Sequence, residues 1–140
     1  MTEASALPDI PGPDLYAQLA AIHGHFCPMS TLGLRLGWAA RRRVGSDPRA
    51  VVYNIQTCAV EGICLALDVE SVTVDRQQQH RLFISDLDVA WQIDLNPEAL
   101  RLAASYKALA SDAEREFLLD KLRSADESCL MDIVQTRITP

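Results

Sequence analysis

Three short strand-like segments, "ESVTVD" (70–75), "RLFIS" (81–85) and "DVAWQIDL" (88–95), follow one another in the middle of the chain. Their links are short and polar, which joins neighbouring strands as an antiparallel meander. An earlier apolar run, "AVVYNIQ" (50–56), reads as a buried strand, and "LMDIVQTRI" (130–138) as a last one. Helical patterns stand on both sides of the meander and do not alternate regularly with strands. That order predicts an α+β fold rather than a doubly wound sheet.

The helices carry their own punctuation. From Asp14, "DLYAQLAAIH" places Leu15, Leu19 and Ile22 at helical spacing, and Gly24 breaks the pattern. Pro28 suits the first position of a second helix, because its missing N–H would be unpaired there. Leu32, Leu36 and Ala39 share one face of that helix, and Gly45 ends it. Gly33 and Gly37 lie on an adjoining face. Each costs about 1 kcal/mol relative to alanine in a helix interior. A close neighbour is therefore expected there, either another helix or a ligand, and the small-residue face is also a candidate surface for a homodimer. "TCAVEGICLALD" (57–68) is a helix with Thr57 as N-cap. Asn96-Pro97 opens a helix over 97–109, and Ser111-Asp112 caps another over 112–124. Residues 1–13, with three prolines, form a loosely held lead, and 14–140 form a single domain.

Composition excludes several classes of function. A chain of 140 residues that is 49% hydrophobic and 23% charged can bury a core without staples. A net charge of −6 argues against nucleic-acid binding. The one basic run, Arg41-Arg42-Arg43, closes a helix, where cations favour the negative end of the dipole. The sequence has no apolar run of about 18 residues and no leader-like start. The expectation is a cytoplasmic protein with reduced thiols and no membrane partner. Cysteines 27, 58, 64 and 129 show no CxxC spacing, so neither a disulfide framework nor a zinc ribbon is indicated.

The chemistry concentrates in "HGHFCP" (23–28). It holds two of the chain's three histidines and one of its four cysteines. Imidazole nitrogen and thiolate sulfur are the usual ligands of zinc and similar transition metals. A bent loop brings two or three of His23, His25 and Cys27 to one point. Cys27 also precedes a helix N-terminus, whose free N–H groups and dipole favour a thiolate. A plain helix-breaking turn with a small buried cysteine is the competing reading. Cys58 stands at a matching strand-to-helix junction, with Glu61 three residues on and on the same face. Cys64 lies about 240° around that helix from Cys58 and reads as core. Cys129 reads as structural or surface, and His80, in the polar "DRQQQH" turn, as solvated.

Taken together, "HGHFCPMSTLGLRLGWAA" and "YNIQTCAVEGI" resemble the FmdE family of formylmethanofuran dehydrogenase proteins. Met29 stands where that family has the glycine of its CPG, and Glu61 where it has aspartate. The resemblance implies helices packed on a mixed, mostly antiparallel sheet. It also implies a transition metal, often zinc, bound through His23, His25, Cys27 and Cys58, with either histidine as the direct ligand. Glu61 matches the acidic position, as an outer partner of the metal ligands or a general base. The family's cysteine- and glycine-rich loop after the second motif is replaced here by "LALDVESVTVDRQQQ".

The function expected from these residues is metal binding, with an open position for water or a small-molecule ligand. The alternatives are a haem or related tetrapyrrole, with Gly33 and Gly37 making room for a flat ring, and metal-free nucleophilic catalysis by Cys27 with a neighbouring histidine as base.

Overall fold

The structure is a computed structural model that describes residues 7–45 and 47–137. Residues 1–6, half of the expected lead, and residue 138, the expected end of the last strand, lie outside the described residues. In chain order the elements are α1 (Pro13–His23), α2 (Pro28–Val44), β1 (Ala50–Tyr53), α3 (Ala59–Leu67), β2 (Thr73–Val74), β3 (Arg81–Ser85), β4 (Ala90–Leu95), α4 (Pro97–Ser105), α5 (Asp112–Ser124), α6 (Glu127–Leu130) and β5 (Met131–Thr136). A single 3-10 turn, Tyr106–Ala108, follows α4, so the helix expected over 97–109 tightens before it ends. The fold is α+β.

The strands form one sheet in the order β2-β1-β3-β4-β5. β1, β3, β4 and β5 are antiparallel neighbours, whereas β2 runs parallel to β1. The sheet is therefore mixed. β2 is no part of a meander, because α3 carries the chain from the end of β1 across to its outer edge, as a parallel connection requires. Tyr53, Leu82, Ile93 and Ile133 face one another across four strands and form part of the apolar face. Leu82, Ile84 and Ile93 are fully buried there.

α2 lies against that face and is buried nearly all round. All residues from Ser30 to Ala40 are excluded from solvent, the pattern of a helix enclosed by other elements. The close neighbour that its glycines call for is α3. A Cβ on Gly33 would stand 2.0 Å from the Ala59 carbonyl oxygen, and one on Gly62 of α3 would stand 2.3 Å from that of Ser30. A Cβ on Gly37 would meet Ala66 and Ile63. The faces of α2 and α3 thus touch backbone to backbone. This corrects two expectations: the room at Gly33 and Gly37 belongs to α3, not to a flat cofactor or to the partner in a dimer.

Buried Arg35 ties α2 to the C-terminal helices. One guanidinium nitrogen donates to the carbonyls of Leu122 and Arg123 at 2.8 and 3.0 Å, and the other donates to Ala125. Arg35 thereby fills the carbonyls that end α5, with its charge at the negative end of the dipole. Burial pulls its pKa below the ordinary arginine value. The basic run is spent internally as well. Arg41 donates to the Ala66 carbonyl, Arg42 pairs with Asp9 and Glu127, and Arg43 pairs with Glu127 and lies over the Trp91 ring.

On α1 the buried residues are Tyr16 and Leu19, while Ile22 is 61% exposed, so the apolar face is turned from the one its leucine spacing suggests. The chain is anchored ahead of Asp14: Leu7 packs with this group, and the Trp38 indole N–H donates to the Pro8 carbonyl at 2.9 Å. Among the described residues, no helix is long and apolar enough to cross a membrane.

Candidate metal centre

Gly24 ends α1 in the left-handed conformation (φ 95°), which turns the chain toward α2 within four residues. Cys27 takes the N-cap position of α2 in extended conformation. This tight turn brings the donor atoms of His23, His25 and Cys27 within 4.8 Å of one another. The two imidazole rings are 4.6 Å apart, centroid to centroid, and tilted by 37°.

His23 is oriented from outside the turn. Its Nδ1–H donates to Glu61 Oε1 at 3.1 Å, across 38 residues of sequence. A carboxylate only accepts, so in the neutral ring this bond assigns the proton to Nδ1 and leaves a bare lone pair on Nε2. Nε2 is buried and has no protein partner. A buried polar atom without a partner is costly in a folded chain. Beside a second imidazole and a thiol, this orphaned lone pair has the chemistry of a metal ligand, with Glu61 as the outer carboxylate that fixes ring and tautomer.

Cys58 stands just before α3 and outside this close group of three donors. Thr57 is the cap of that helix, its hydroxyl accepting from the Ala59 N–H at 3.1 Å, and Cys58 already has helical backbone angles. Cys58 and Cys27 line the same cavity. Burial, then the charge and hydrogen bond of Cys27, then the charge of Glu61 hold the Cys58 thiol above the usual range. Cys64 faces a separate cavity and Cys129 is exposed. Burial, followed by the charge of Glu61, raises Cys64 as well.

A cavity of about 700 Å³ opens beside the group. His25, Cys27 and Cys58 line it, together with the end of α4 and its 3-10 turn. Glu61 lines the neighbouring cavity instead, with Cys64 and Asp68. Its place fits an orienting carboxylate and not a general base toward a molecule in the larger cavity. His80 is the residue the sequence conceals. It lines the larger cavity, half-buried, with Nδ1 3.1 Å from the Tyr53 hydroxyl, and burial lowers its pKa. The polar turn around it gives no sign of this. Its signal is positional, since it immediately precedes β3, the strand paired with Tyr53. Tyr106 and Lys107 also line the cavity, from a segment that reads as plain helix.

Comparison with known proteins adds two findings. The chain is similar in fold to a tungsten formylmethanofuran dehydrogenase FmdE-like protein from Syntrophus aciditrophicus. The TM-score is 0.60 at 15% identity, over 91% of this chain and 72% of the other. No curated protein gives a significant match to the sequence. The family described as "FmdE, Molybdenum formylmethanofuran dehydrogenase operon" matches residues 22–136, from the end of α1 to the end of β5, and the chain belongs to that family.

Proposed function

We propose that the protein binds one transition-metal ion, zinc in the first place, and presents it to a small molecule in the adjoining cavity. His23 Nε2, Cys27 and Cys58 would hold the ion, with His25, the exposed member of the group, as a fourth ligand that a small molecule can displace. The observation that carries this reading is the buried, unpartnered Nε2 of His23, set by Glu61 beside His25 and Cys27. Two imidazoles and two thiolates are a donor set suited to zinc. The two thiolates would also balance the charge of a divalent cation. A bound ion of this kind acts as a Lewis acid toward an oxygen ligand. The residues of the chain hold it, orient the ligands and line one wall of the cavity. The FmdE family name and the FmdE-like relative support a metal-linked role. Formylmethanofuran chemistry is a property of the proteins so named.

Elemental analysis of the purified protein tests the reading. About one metal per chain is expected, lost in Cys27→Ser and Cys58→Ser. Protein that carries no metal and takes up neither zinc nor nickel at micromolar concentration overturns it.

A further inference from the structure

The cavity beside the His/Cys group has a charge character that the chain as a whole does not. The chain carries 19 acidic residues against 13 basic ones, yet no Asp or Glu among the described residues lines this cavity. Lys107 stands on its wall, and Lys107 forms no ion pair among the described residues. The N-terminus of the 17-residue α2 reaches the cavity through Cys27, Pro28 and Met29, with no acidic residue in its first turn and no side-chain cap. That end of the dipole is positive and favours an anion. The thiolates of Cys27 and Cys58 do not reverse this balance once a divalent cation neutralises them.

His80 adds a directed donor. The fully buried Tyr53 hydroxyl lies 3.1 Å from His80 Nδ1. Where Tyr53 donates to Nδ1, the neutral ring carries its proton on Nε2 and keeps a donor for a ligand. His80 lines the cavity, and Tyr53 of β1 supports it from behind its Nδ1. The other lining residues are largely apolar, among them Met29, Leu100 and Ala103. A volume of about 700 Å³ suits an organic molecule larger than a water or a simple anion.

We propose that this cavity binds a small organic carboxylate, its apolar body against Met29, Leu100 and Ala103 and its carboxylate toward Lys107 and His80. The proposal rests on the metal-site reading, because the bound ion forms part of the wall that the ligand faces.

The test titrates the zinc-loaded full chain by calorimetry with three compounds that share one ring system. These are 2-naphthoate, 2-naphthylmethanol and 2-naphthylmethylammonium. The naphthoate is expected to bind one to one, about tenfold or more tighter than the alcohol, with the ammonium weakest. Lys107→Met and His80→Phe each weaken the naphthoate about tenfold, leave the alcohol unchanged and keep one zinc per chain. Equal affinity for the three compounds overturns the proposal. So does naphthoate binding that is abolished by chelation but unaffected in both variants, because the ion alone then holds it. Elemental analysis of the same samples separates the two readings. Absence of zinc removes the metal site, whereas zinc present without preference for the carboxylate removes only the ligand assigned here.

Discussion

Glu61 acts on the site through one ring. Its carboxylate fixes the tautomer of His23, and everything that Nε2 can do depends on that bond. Glu61→Gln keeps the shape and loses the charge that favours a basic, correctly turned imidazole. Zinc affinity should fall about tenfold to a hundredfold in competition with a chromophoric chelator. Glu61→Asp, which keeps the charge, should retain more. His80 sets a pH dependence of stability. Burial lowers its pKa, so as pH falls through about 6.5 the unfolded chain takes a proton that the folded one resists. Stability therefore declines toward acid, from near that pH down to the lowered value. The decline should be shallower in His80→Gln, as read from urea midpoints between about pH 8 and pH 5. At this scale the sequence was a good guide to the cluster of His23, His25 and Cys27, because they are crowded into five residues and need only a tight turn to meet. It was a poor guide to His80, whose partner Tyr53 lies 27 residues away and is supplied by strand pairing.

Between elements, the contact of α2 with α3 sets the position of Cys58. Gly33→Ala would drive a Cβ into the Ala59 carbonyl, one residue from that cysteine. The helices must separate, at a cost of about 1–3 kcal/mol. Because the shift moves Cys58, metal affinity should fall together with the urea midpoint. Arg35→Leu separates these effects. It leaves the last carbonyls of α5 without their donor, costing about 1–3 kcal/mol, yet lies away from the ligands. Its urea midpoint should drop while its zinc content stays at one per chain. The helix starts were legible because they depend on local chemistry: the Asn96 side chain accepts from Ala99, and that of Ser111 from Glu114. The glycine spacing announced a close neighbour, but only the tertiary fold shows that α3 takes the place. The parallel pairing of β2 and the turned face of α1 were hidden for the same reason. Short polar links look alike whether a strand joins a meander or returns to an edge, and Tyr16 outcompetes Ile22 for burial only once α2 is in place.

Across the whole molecule, the ligand groups draw together the end of α1, the start of α2 and the start of α3. Metal that binds only the folded state stabilises it by mass action, by about 2.7 kcal/mol at a free concentration a hundredfold above Kd. Chelation should accordingly lower Tm by several degrees in the wild type and scarcely at all in Cys27→Ser. Affinity should also rise with pH, because ligation requires the Cys58 thiolate that the metal-free fold disfavours. The hydrogen bond from His23 to Glu61 spans 38 residues and exists only after α1 and α3 have both docked on α2. A contact between two docked helices is expected to form late in folding. In stopped-flow experiments zinc should leave the refolding rate unchanged and slow unfolding, so that metal supply governs how long each native molecule lasts and not how quickly it forms.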